Sequence, residues 1–196
     1  SVSYTGAAGK SVQAWVVRPP GFDAAKTYPL LVIVHGGPQS VFPDGWSFRW
    51  NAQVFASAGY VVFMPNPRGS TGWGQEFVDD INRDWGGKDR LDHVHAMTKV
   101  LPKDKRLDVK RAAVVGRSYG GYMTLMQAAI HTDLWKAACD MFGPYDLLTF
   151  LERIPQTWKP YFKIALGDPE KPEEKKFLIE RSPKTHLSNM ACPMLV

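Results

Sequence analysis

The strongest constraint on the fold is the stretch AAVVGRSYGGYMTL, residues 112–125. Small and β-branched apolar residues run without interruption into Gly116-Arg117-Ser118-Tyr119-Gly120, and a segment of helical character follows. A Gly-x-Ser-x-Gly pattern between a buried strand and a helix has a mechanical reason. Glycines at both ends remove side chains that would crowd a tight strand-to-helix turn, and the turn lifts the serine Oγ above the sheet. A serine hydroxyl is a poor nucleophile without a base to take its proton and a group to orient that base. Such a serine therefore requires those partners elsewhere in the folded protein.

Other unbroken apolar runs repeat the theme. Strands are predicted at 11–17, 29–35, 60–65, 112–116, 136–141 and 192–196, and helices at 49–59, 89–102 and 119–131, with shorter ones between 145 and 190. Runs without alternation are typical of strands covered on both faces, and strand alternating with helix predicts an α/β fold with a mostly parallel sheet. Asp168 followed by Pro169 predicts a capped helix start. At 196 residues and 44% hydrophobic content, the chain suffices for one core and one domain.

Lys and Arg outnumber Asp and Glu by 24 to 19, yet the densest charged stretch, EKPEEKK, mixes both signs and predicts a solvated helix face. No basic stripe points to nucleic acid. No apolar run approaches the ~20 residues that span a bilayer, so no membrane partner is expected. The opening SVSYTGAAGK is neither a signal peptide nor an initiator-methionine start and suggests a cut inside a longer polypeptide. Cys139 and Cys192 lie in apolar surroundings and are expected to be small buried hydrophobes.

Two further constellations bear on chemistry. His35-Gly36-Gly37-Pro38 follows an early apolar run, and its glycines allow the backbone to approach a substrate closely. His35 itself is expected to be a structural hydrogen-bonding residue. The glycines of NPRGSTGWGQEF (66–77) run in the reverse order of a G-x-G-x-x-G phosphate loop. His93 and His95, two apart on a predicted helix, point to different sides and do not chelate a metal together. No metal or organic cofactor is expected.

HGGP, NPRGSTGWG, DWGGKD (84–89), GRSYGGY and SPKTHLSNMACPMLV, in that order, resemble the catalytic domain of the prolyl oligopeptidase family of serine peptidases, in its acylaminoacyl-peptidase and dipeptidyl-peptidase-like branch. The resemblance covers essentially the whole chain. It implies an α/β-hydrolase fold with helices on both faces of the sheet, Ser118 as nucleophile, and the Tyr119 and Gly37 N–H groups as oxyanion hole. It also implies that Arg68 and Gly36 shape a site for short or acylated peptides. In that family the catalytic aspartate and then the histidine follow the strand corresponding to CPMLV, so both are expected beyond Val196. An N-terminal β-propeller is likewise expected outside a single partial hydrolase domain at 1–196. Asp140, Asp146, His131 and His186 are expected to be structural. A carboxylesterase with the same elbow, and a non-catalytic interaction protein, are the competing functions.

Overall fold

The computed structural model describes residues 1–196. Seven strands form one sheet: β1 (Val2–Thr5), β2 (Ser11–Val17), β3 (Tyr28–Val34), β4 (Val61–Asn66), β5 (Leu107–Arg117), β6 (Ala137–Met141) and β7 (Met194–Leu195). Their spatial order is β1-β2-β4-β3-β5-β6-β7. β2 runs antiparallel to both β1 and β4, and the remaining pairings are parallel.

The unbroken apolar runs have the predicted cause. In β3, Leu30, Val32 and Val34 face the larger core, while Leu31 and Ile33 face a second cluster with Phe42, Val62 and Met64. The side-chain period is still two, but both faces are dry. The helices are α1 (Ala52–Ser57), α2 (Gln75–Asp79), α3 (Lys88–His95), α4 (Tyr119–Ile130), α5 (Leu147–Arg153), α6 (Lys159–Ala165) and α7 (Pro172–Glu180). α4 is buried on nearly every side from Tyr119 to Ala129, which explains why it lacks a polar face.

Several expectations need correction. The helix predicted at 89–102 breaks up: α3 ends at His95, a π-helical turn covers Ala96–Val100, and a short 3-10 turn covers Leu101–Lys103 around Pro102. Asp168 caps no helix. Its carboxylate instead accepts from Lys163 Nζ at 3.0 Å and Glu170 N–H at 3.1 Å in a turn, and the next helix starts at Pro172. β5 begins at Leu107, five residues before the predicted start at 112, and is irregular opposite Pro29–Leu30. Cys139 and Cys192 are free thiols and only partly buried. No helix is long and apolar enough to cross a membrane.

Candidate active site

From β3 the chain moves to β4 on one side, then crosses to β5 and continues through β6 on the other. The direction of winding thus reverses between β3 and β5, and open α/β sheets bind ligands at such a reversal, beyond the carboxyl ends of the strands. Register places Val34, Gly116 and Asp140 side by side at those ends. The HGGP loop and the Gly-x-Ser-x-Gly turn leave the sheet there as neighbours.

Ser118 adopts φ 59° and ψ −123°, a positive φ seldom taken by a residue with a side chain. Its N–H donates to the Met141 carbonyl at 2.8 Å, its own carbonyl accepts the Tyr122 N–H at 3.0 Å, and its side chain is exposed. The flanking glycines are sterically required. A Cβ on Gly116 would lie 2.2 Å from the Gly120 carbonyl oxygen, and a Cβ on Gly120 would lie 2.2 Å from that of Val34. Strand, turn and helix therefore meet backbone to backbone, which holds the strained serine in place.

Gly36 packs against this turn: a Cβ there would sit 3.2 Å from the Arg117 carbonyl oxygen and 3.7 Å from Ser118 Cβ. Gly37 follows with φ +119°, exposed, before a cis peptide to Pro38. Tyr119 is the first residue of α4, where main-chain N–H groups have no partner within the helix. Its side chain points inward and is 3% exposed.

Arg68, expected to help shape the substrate site, is buried. Its guanidinium is 1% exposed, with Nη2 2.7 Å from Asp92 Oδ1, Nε 3.0 Å from Asp92 Oδ2, and Nη1 3.3 Å from Asp80. A buried guanidinium needs a carboxylate, and Asp92, itself fully buried, supplies it. Asp92 also accepts the Ala7 N–H at 2.8 Å. Arg68 thus ties the 66–77 loop to α3 and, through the Ala7 carbonyl, to the β1–β2 connection.

A cleft of about 550 Å³ opens beside Ser118, with Phe142, Tyr145, Phe150, Arg153 and Lys184 in its walls. Sequence reasoning missed these lining residues. The available signal was Asp146, whose carboxylate accepts Leu148 N–H at 3.0 Å at the start of α5 and so sets the helix that forms one wall. Asp140 lies under the turn and accepts Gly143 N–H at 3.0 Å, and burial pushes its carboxyl pKa up.

None of the five histidines is hydrogen-bonded to Ser118. His35 Nδ1 donates to the Gly36 carbonyl at 2.7 Å and Nε2 pairs with Ser70 Oγ at 2.9 Å, so both ring nitrogens are engaged, and burial lowers its pKa. His93 is wholly buried, which depresses its pKa to about 3. His131 pairs with Arg90, and His186 Nε2 lies 2.9 Å from the Glu180 carbonyl.

A model of the prolyl oligopeptidase family matches residues 46–196. The chain belongs to the prolyl oligopeptidase family. A probable dipeptidyl-peptidase 5 of Aspergillus terreus is 50% identical over 112 residues, which is 57% of this chain and 16% of that protein. Two solved structures superpose on 98% of the chain and 30% of their own length. They are an acylaminoacyl peptidase of Pyrococcus horikoshii (TM-score 0.87, 26% identity) and a puromycin-hydrolyzing peptidase of Mycobacterium tuberculosis (TM-score 0.85, 30% identity). The sheet order and the superposition together give this family member the α/β-hydrolase fold expected from its motifs. The chain spans between 16% and 30% of the length of these relatives.

Proposed function

We propose that this chain carries the nucleophile of a serine peptidase, with Ser118 attacking a peptide carbonyl to form an acyl-enzyme that water then hydrolyses. The observation that carries this reading is the positive-φ serine held at the end of β5 by two glycine backbone contacts, at the point where the sheet's winding reverses. The Tyr119 and Gly37 N–H groups form the oxyanion hole, Gly36 gives the backbone its close approach, and Arg68 holds the adjoining loop. Triad aspartate and histidine come from chain beyond Val196, and a β-propeller precedes Ser1. The relatives' names, dipeptidyl-peptidase, acylaminoacyl peptidase and puromycin-hydrolyzing peptidase, favour a short or acylated peptide over a simple ester as substrate.

The test is labelling of the full-length protein with a serine-directed phosphonate. Ser118→Ala is expected to abolish both labelling and peptide hydrolysis, since loss of a triad nucleophile leaves only residual catalysis from binding and the oxyanion hole. Unchanged labelling of the variant would refute the assignment. Peptide amides turned over more slowly than activated esters by the ratio of their uncatalysed rates would favour an esterase.

A further inference from the structure

The stretch DWGGKD, residues 84–89, packs against the elbow. Asp89 is the second residue of α3 and is fully buried. Its Oδ1 accepts the Arg90 N–H at 2.8 Å, and its Oδ2 accepts the Gly86 N–H at 3.3 Å and the Tyr119 hydroxyl. The Tyr119 ring meets Trp85 edge-on at 4.8 Å and leans on Tyr122 at 5.7 Å. Gly86 has φ +70°, and a Cβ there would lie 2.5 Å from the Tyr122 hydroxyl, so this loop needs a glycine to approach α4. The side chain of Tyr119 is thus fixed at its edge, its face and its hydroxyl.

We propose that Asp89 is a positioning residue for the oxyanion hole: by holding the Tyr119 hydroxyl it fixes the first residue of α4 and the direction of its main-chain N–H. The inference rests on Ser118 acting as nucleophile, as set out above. A buried hydroxyl deprived of its acceptor is costly, and the ring escapes that cost only by rotating toward another partner. Because Tyr119 adjoins Ser118, such a rotation moves the start of the helix and misdirects the N–H.

The link also has a titratable side. Asp84 and Asp92 place two further carboxylates near Asp89. Arg90 turns its guanidinium to the Gly86 carbonyl and His131, Arg181 binds Asp84 and the Trp85 carbonyl, and the Tyr122 phenol faces the same space. Burial favours the neutral acid and the donated N–H groups favour the carboxylate, which leaves Asp89 pushed up to about 7. The carboxylate accepts from Tyr119 with the strength of an ionised acceptor, whereas the neutral acid has a proton of its own to place.

The experiment is steady-state peptide hydrolysis by the full-length protein across pH. Tyr119→Phe and Asp89→Ala are expected to lower kcat about tenfold or more while KM stays within about twofold, the pattern of an interaction made in the transition state. Asp89→Asn keeps a carbonyl acceptor for the Tyr119 hydroxyl, so it is expected to restore kcat to within about threefold of wild type at every pH. Tyr119→Phe preserves the ring and its packing and decides the matter if Asp89→Ala fails to fold. Wild-type kcat in Tyr119→Phe overturns the proposal, as does an Asp89→Asn variant no better than Asp89→Ala. If wild type and Ser118→Ala label alike with the phosphonate, the nucleophile assignment falls instead, so the two failures are read separately.

Discussion

Substituting Gly120 by alanine sets two known effects against each other. In the second position of α4 an added methyl improves helix propensity by at most about 1 kcal/mol. The same methyl would lie 2.2 Å from the Val34 carbonyl oxygen, 2.9 Å from that of His35 and 3.0 Å from the Val34 carbonyl carbon. Ordinary contact begins at 3.4 Å, so elbow and strand must part by about 1.2 Å. The obstructing atoms are backbone at the end of a central strand and have no rotamer to change. Overpacking of a tight core costs typically 1–3 kcal/mol, and a rigid obstacle puts this site at about 3. Strain therefore wins, with a net loss of about 2–3 kcal/mol, and the transition of this domain in calorimetry of the full-length protein should fall by about 5–10 °C. The control is Gly45→Ala, where the nearest atom is Pro43 Cγ at 3.8 Å and no positive φ is involved, so stability should hold within about 0.5 kcal/mol. A displacement near 1 Å at the nucleophile should also lower peptide turnover about a hundredfold. A Gly120→Ala protein that melts with wild type and is labelled at the wild-type rate would show that the helix start is not clamped against β3.

Further expectations follow from the buried charges. Asp92→Ala leaves the Arg68 guanidinium with Asp80 at 3.3 Å as its remaining carboxylate, beside the Ala7 carbonyl, and should cost about 3–5 kcal/mol in denaturant unfolding, with lost exchange protection at the Ala7 amide; a loss below about 1 kcal/mol would contradict this. Asp89, near 7 folded against 3.8 unfolded, holds a proton in the native state that the unfolded chain has released, so its contribution falls as pH rises from about 4 to 7. Asp89→Asn should therefore gain stability relative to wild type, by up to about 4 kcal/mol, between pH 4 and pH 8, and a pH-independent difference would refute the burial argument. His93 has the opposite sign: neutral when folded down to about pH 3 and protonated below 6.5 when unfolded, it withdraws stability as pH falls through that window. Its replacement by leucine should flatten acid unfolding there. The 196-residue chain expressed alone should not hydrolyse peptide amides, because no histidine contacts Ser118; activity lost on His186→Ala or His35→Ala would identify an unforeseen base.

The central sheet and the elbow were legible in the linear sequence because their determinants are local. A strand dry on both faces must be apolar at every position, and a strand-to-helix turn this tight must have glycine on both sides of its serine. Those requirements appear as contiguous letters. β1 was not legible: SVSYT carries little apolar content, and it is a strand because β2 offers it an antiparallel edge. Nor was the irregular end of α3, or the turn at Asp168, where a lysine five residues earlier competes for the carboxylate that would have capped a helix.

What folding alone decided is which polar groups meet. Arg68 and Asp92 lie 24 positions apart and Tyr119 and Asp89 lie 30 apart, and nothing in either neighbourhood marks them as partners. The family resemblance implied that Arg68 helps shape the substrate site, and folding buries its guanidinium on Asp92, with Asp80 3.3 Å away. The cleft beside Ser118 is likewise assembled from the ends of β5 and β6, from α5 and from Lys184. Local propensity and periodicity are properties of adjacent residues and survive in the sequence. Burial, and the pairing and pKa shifts it compels, depend on how many distant segments exclude water from the same point, which exists only once the chain has packed.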